Sequence, residues 1–312
     1  MSWLMRFTST SGGIWLKGEK IMRKINLSAR NAREGYLLTL PLLLGCLVFY
    51  AIPFLMVVRD SVFHGISYGE EFVGLGNYVS MLNNGVFRLA FGNTMKFLVI
   101  ALPLIVVIAY AIALMLKEQV KKYQMLKSVL LLPYIMPVVG SVLLVELLFT
   151  ETGIFNEGLY TLGLPVTDWL NSEYAFVIVV LLYLWKNTGY AVILLLSGLI
   201  TISDDLYSAA ALDGASKRQQ LRYITIPQMW YSVFFATVFS LINAFKCFRE
   251  IFLIGGTHPH SSIYMLQHFI NNAFEKLNYP KLAVASVLLL IVITVFFALF
   301  YRFVMRKEAY KE

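Results

Sequence analysis

Glu146, Lys186 and Lys246 stand inside or beside long apolar runs. Ionisable side chains in such places face a cavity or pair with one another, because lipid hydrocarbon does not solvate them. Tyr183, Trp185, Asn187, Tyr190 and Asn243 lie near the two lysines in sequence. These are hydrogen-bonding groups beside aromatic faces, chemistry for holding a solute rather than transforming one. The groups a reaction needs are missing. There is no GxxxxGK[ST] loop, and neither residues 65–69 nor residues 214–218 match it, so nothing in the chain hydrolyses ATP. His64, His258, His260 and His268 lack metal-ligand spacing such as HExxH; His258 and His260 stand close together, but no metal site is predicted. The histidines and carboxylates also lack the convergent spacing of a membrane enzyme. Cys46 and Cys247 fall within or beside apolar runs and read as small hydrophobes, although their number allows one disulfide.

Such residues need elements to position them. Of 312 residues, 59% are hydrophobic and only 14% charged, with a mean hydropathy of +0.71. Soluble domains carry about a quarter charged residues. Six apolar runs, at residues 36–58, 97–116, 129–149, 175–200, 230–248 and 282–305, approach the roughly 20 residues with which a helix crosses a bilayer core. The fourth is interrupted by Lys186-Asn187-Thr188-Gly189. An all-α integral membrane protein is predicted, with six spans over residues 36–305 between tails 1–35 and 306–312; Met22 is an alternative start. The net charge of +8 is concentrated at span ends and in alternate loops, at Lys117, Lys121, Lys122 and Lys127 and again at Lys217, Arg218 and Arg222. Residues 150–174 instead carry Glu151, Glu157, Asp168 and Glu173 with no base. The positive-inside rule then places both termini in the cytoplasm and residues 59–96, 150–174 and 249–281 outside. Within the last of these, residues 263–274 have the spacing of a short surface helix. No basic face on a soluble module is present, so nucleic acid is not an expected partner.

The segment from Ser203 to Pro227 carries the most local information. Ser203-Asp204-Asp205 supplies a hydroxyl cap and two carboxylates for a helix first turn. Tyr207, Ser208, Ala209 and Ala210 follow, and Asp213-Gly214-Ala215 reads as the turn that ends the helix. Ser216-Lys217-Arg218-Gln219 has capping-box spacing for a second helix, and Pro227 fits the first turn of the next element. The expectation is a helix–turn–helix at the membrane surface whose alanines admit another protein's backbone.

The order Ser208-Ala209-Ala210, Gly214, then Ile224-x-Ile226-Pro227 resembles the EAA motif of ABC importer permeases. Ser208 stands where that family has glutamate, and Ser203 where it has proline. Residues 72–78, Asn93-Thr94, Leu132-Pro133-Tyr134 with Pro137, Gly153-Ile154-Phe155-Asn156 and residues 254–259 resemble the carbohydrate branch of the family; the tryptophan common near residues 144–147 is absent. The resemblance implies the six-helix, MetI-like fold of type I importers and a bacterial inner-membrane location. It implies a second, different permease chain, two ATPase subunits that carry ATP and magnesium, an extracytoplasmic solute-binding protein, and no cofactor on this chain. Asp204, Asp205, Tyr207, Ser208, Ala209, Ala210, Asp213, Gly214, Ala215, Lys217, Arg218, Ile224 and Pro227 would then couple to the ATPase. Glu146, Tyr183, Trp185, Asn187, Tyr190, Asn243 and Lys246 are candidates for a sugar pathway. An importer for amino acids, peptides or phosphonates is the alternative, and an ion-coupled secondary transporter the more distant one.

Overall fold

A computed structural model describes residues 29–65, 69–117 and 125–306, with side chains from residue 35 to residue 302. Most of the two tails, Met22, Lys121 and Lys122 lie outside the described residues. Six stretches are long and apolar enough to cross a membrane. The chain divides into two units, residues 1–59 and 60–312.

In the first unit, helix α1 (Ala29–Cys46) passes through a π-helical turn at Leu47–Ala51 into α2 (Ile52–Val62), within which the unit boundary at residue 59 falls. Pro41 sits inside α1 without ending it. Leu38, Phe49 and Tyr50 are largely exposed, as suits a helix solvated by lipid tails.

The second unit opens with a hairpin of β1 (Phe63–His64) and β2 (Glu71–Phe72), antiparallel, followed by α3 (Gly76–Leu82). The membrane helices are α4 (Gly85–Leu116), α5 (Met125–Ile135) with α6 (Val138–Phe149), α8 (Tyr174–Thr201), α12 (Trp230–Lys246) with α13 (Phe248–Gly255), and α15 (Tyr279–Arg306). Between them lie α7 (Ile154–Thr161), α9 (Asp204–Leu212), α10 (Lys217–Gln220), α11 (Ile226–Gln228) and α14 (Leu266–Glu275).

The core runs along α4, α8 and α12. Ala101, Ala109 and Ala113 on α4 are fully buried beside Leu195, Leu196 and Leu199 of α8. In lipid, close packing replaces the hydrophobic drive, so small residues at the seam let helices approach. Gly189 serves the same end on α8: a Cβ there would collide with the backbone of Leu130 on α5. A second cluster, Phe87, Leu266, Phe269 and Val284, packs α14 against α4 and α15.

Several boundaries differ from the apolar runs. The second span starts at Gly85, not at residue 97, because Asn84 caps it by accepting from the Phe87 N–H (2.9 Å). Lys96 is tolerated within it, its ammonium 4.3 Å from the Phe176 ring centroid. The third apolar run is broken at Met136-Pro137, where Pro137 is extended, so the stretch long enough to cross a membrane begins at Val138 and runs to Thr161, with Met125–Ile135 a separate shorter helix. The fourth is continuous: Asn187 Nδ2 donates to the Tyr183 carbonyl (2.9 Å) and Thr188 Oγ1 to that of Leu184 (2.6 Å), so the polar quartet bonds its own helix. The fifth span turns at Cys247 and continues to Gly255, which places Arg249 and Glu250 inside the membrane stretch rather than in the following loop. The helix expected at residues 263–274 runs from Leu266, after a 3-10 turn at Ser261–Ile263. Cys46 and Cys247 are both free thiols.

Candidate functional site

Two regions concentrate the residues singled out by sequence. The first is the segment between α8 and α12. Ser203 Oγ accepts from the Asp205 N–H (3.2 Å) and starts α9, with Asp204 and Asp205 in the first turn. Its end is a Schellman motif: Ala215 N–H donates to Ala210 O (2.9 Å) and Gly214 N–H to Ala211 O (3.1 Å). Gly214 has φ +81°, a left-handed conformation, and nothing within 4 Å of a Cβ, so backbone conformation rather than space demands glycine. Ser216 and Gln219 form the expected capping box of α10.

The structure divides the motif by face. Asp204, Asp205, Ser208, Ala209, Asp213, Gly214, Lys217 and Arg218 are exposed, and beside them Leu212 is 90% exposed. Tyr207 and Ile224 instead pack on the bundle core, while Ala210, Ala215 and Pro227 are half-buried. The Tyr207 hydroxyl meets Thr225 Oγ1 at 3.0 Å, and Lys117 Nζ lies 3.9 Å over the Tyr207 ring. Buried Ile202 and Met229 anchor the two ends. The segment is therefore an exposed platform bolted to the bundle at its inner face.

The second region is a cavity of about 240 Å³ between the third, fourth and fifth spans. Its wall includes Tyr134 and Pro137 at the helix break, Tyr183, Lys186 and Asn187 on α8, and Asn243, Lys246, Cys247, Arg249 and Glu250 on the fifth span. The 136–137 break, just before the membrane-crossing stretch that begins at Val138, borders this cavity. Lys186 Nζ and Glu250 Oε1 form an ion pair of 2.6 Å, both side chains nearly buried. Glu250 Oε2 is buried without a hydrogen-bond partner among the described residues.

Of the seven pathway candidates, Tyr183, Asn187, Asn243 and Lys246 meet on this wall. The Tyr183 hydroxyl, however, is already engaged with the Ser240 carbonyl (2.7 Å). Tyr190 stacks on Tyr134 with centroids 4.7 Å apart. Glu146, on α6, and Trp185, which is 43% exposed, are not on the wall. The sequence reading missed Glu250 and Arg249 because the charges near residue 248 looked like a span end. A helical stripe was present: 243, 246, 247 and 250 share one face, as do 183, 186, 187 and 190.

Other motif residues are loop staples. Asn77 Nδ2 donates to the Ser61 and Phe63 carbonyls (3.1 and 2.8 Å). Asn93 Nδ2 donates to Ser261 O and Tyr264 O, and Thr94 Oγ1 accepts from Leu266 N–H. Buried Asn156 accepts from Thr167 N–H and Trp169 Nε1 while donating to Thr150 O and Thr167 O. Among the described residues no three His, Cys, Asp or Glu side chains converge as metal ligands.

Residues 73–309 match the family described as binding-protein-dependent transport system inner membrane component. The chain is 30% identical over 274 residues to the trehalose/maltose transport system permease protein of Thermococcus litoralis, covering 86% of this chain and 93% of that protein. It is also 30% identical over 271 residues to the arabinooligosaccharides transport system permease protein of Bacillus subtilis, covering 83% and 85%. Its fold matches a chain of a bacterial ABC transporter involved in the import of the acidic polysaccharide alginate, with TM-score 0.75, 20% identity and coverage of 89% and 96%. The chain belongs to the binding-protein-dependent transport system inner membrane components, the multi-pass permease subunits of ABC transporters.

Proposed function

We propose that this chain forms half of the translocation pathway of an ATP-driven importer for a sugar or oligosaccharide. The observation that carries the reading is the cavity beside the 136–137 break, where Asn187 and Asn243 share the wall with Tyr134, whose ring stacks on Tyr190. Amide groups bond hydroxyls in specific directions, and ring faces take the C–H side of a sugar. At about 240 Å³ the space is below the roughly 300–1,000 Å³ of complete small-molecule sites. That suits a half site closed by a second, different permease chain. The relatives named above are permeases of saccharide transport systems, which supports the same solute class.

In this reading the 203–227 segment docks into a separate ATPase, which binds ATP and magnesium in two copies. Exposed Asp204, Asp205, Ser208, Ala209, Lys217 and Arg218 make the contact, and Tyr207, Thr225 and Ile224 transmit its movement to the bundle. A rigid, capped platform suits this task, since coupling requires different contacts in the two states of the ATPase. Both termini and this platform lie in the cytoplasm. The opposite face, including residues 153–156 and 254–259, receives an extracytoplasmic binding protein. The permease domain occupies residues 36–305, with tails at 1–35 and 306–312.

The test is ATP-dependent uptake by the complete complex, purified through this chain and reconstituted in vesicles with its binding protein. Labelled oligosaccharides should accumulate, and only with hydrolysable ATP. Uptake of amino acids or peptides but no saccharide would overturn the solute class. Uptake that persists without the ATPase would overturn the coupling.

A further inference from the structure

Four charged side chains line the cavity: Lys186, Lys246, Arg249 and Glu250. One pair cancels, since Lys186 holds Glu250 at 2.6 Å. Lys246 and Arg249 have no acidic partner among the described residues. Both lie within a membrane stretch, where a cation is expensive unless paired or facing a polar space. The wall thus carries two uncompensated positive charges. Glu250 adds a second requirement, because its Oε2 is a buried acceptor with no donor among the described residues. An unmet buried acceptor of this kind costs on the order of 1–3 kcal/mol, or more when charged. A ligand that satisfies both demands carries an anionic group for Lys246 and Arg249 and hydroxyl donors for Glu250.

Resting on the reading of this cavity as the solute pathway, we propose that the solute is an acidic saccharide, a sugar bearing a carboxylate of the uronic-acid type. Arg249 presents a planar fork that matches a carboxylate in two hydrogen bonds, and Lys246 acts as a mobile point charge. The Lys186–Glu250 pair keeps the acid from repelling the anion while leaving one oxygen to accept from a ring hydroxyl. Asn187 and Asn243 supply further hydroxyl contacts. Lys246 and Arg249 set specificity through charge and do not take part in any bond-making step.

The test uses the complete reconstituted complex with two sets of probes of equal length, trigalacturonate and neutral maltotriose. Uptake of trigalacturonate is expected, with KM rising at least tenfold in Lys246→Gln/Arg249→Gln. KM should also rise in high salt, because screening weakens exposed charge attraction. The exchange Lys246→Arg/Arg249→Lys keeps both charges and should retain uptake, which separates charge loss from misassembly. Transport of maltotriose alone, or trigalacturonate uptake indifferent to the Gln pair and to salt, overturns the acidic class while leaving saccharide import standing. Uptake of neither probe alongside ATP-driven uptake of amino acids or peptides overturns both.

Discussion

The 203–227 platform and the cavity are built on opposite principles. On the platform, the caps and the turn close over a few residues: Ser203 to Asp205, Ala210 to Ala215, Ser216 to Gln219. In the cavity the decisive contact joins Lys186 to Glu250 across 64 residues. Local closure lets the caps and turn of the platform form without distant contacts, on residues that are largely exposed. Distant closure makes the cavity depend on how its three helical stretches are stacked. The two should therefore fail differently when perturbed.

The largest effect belongs to the cavity. Lys186→Met leaves Glu250 buried and uncompensated, and breaking a buried pair from one side costs about 3–5 kcal/mol. The thermal midpoint of the purified complex should fall steeply, and adding Glu250→Leu should recover most of it without recovering transport. Equal losses in the single and the double variant would show that the pair is not coupled.

A third buried site tests whether burial alone explains this sensitivity. His268 lies among Phe248, Phe252 and Tyr264 rings and accepts from the Met265 N–H through Nδ1 (3.2 Å). Burial, with a smaller contribution from nearby His258, lowers its pKa from 6.5 to about 4. The folded state thus favours neutral imidazole, so this stabilisation is complete above pH 6.5 and is lost as pH falls towards 4. At pH 5 the loss is on the order of 2 kcal/mol. Protonation also turns Nδ1 into a donor facing another donor. Acid should loosen α14 in hydrogen exchange between pH 6.5 and 4, and His268→Phe should flatten that dependence. An unchanged profile in the variant would assign the acid effect to other groups.

On the platform the sharpest lever is Gly214. A β-branched residue at its positive φ costs roughly 1–2 kcal/mol, little for the bundle but enough to open the Schellman turn. Gly214→Val should lose ATPase co-purification and cut uptake at least tenfold while the thermal midpoint barely moves. Gly214→Asn, which tolerates the left-handed region, should retain both. If the Val variant still binds the ATPase and transports, docking does not depend on this turn.

These contrasts follow what the sequence made legible. The caps and turn at Ser203, Gly214 and Ser216 were readable because each is a short-range bond between neighbours, and all three stand as expected. Spans were readable as apolar runs, but their ends were not. Asn84 extends the second helix and Cys247 only turns the fifth, so charged Lys96, Arg249 and Glu250 fall inside helices rather than at their limits. Asparagines 77, 93 and 156 drew notice through family likeness, yet their carbonyl partners lie outside their own helices, in segments that no local pattern encodes. In the cavity, residue types were legible and register was not.

Register can be tested directly with two substitutions of the smallest expected size. Asn243 and Trp185 both entered the sugar-pathway set by residue type, but only Asn243 is on the cavity wall. Losing one hydrogen bond to a solute costs about 1 kcal/mol, so Asn243→Ala should raise the transport KM about fivefold at constant ATPase coupling. Trp185, 43% exposed on another face of α8, should tolerate alanine with uptake changed less than about twofold, within the range of surface substitutions. The opposite ranking would mean that the solute follows the face of α8 that carries Trp185 rather than the cavity wall. The cavity would then be a structural void, and the acidic-saccharide assignment would fall with it.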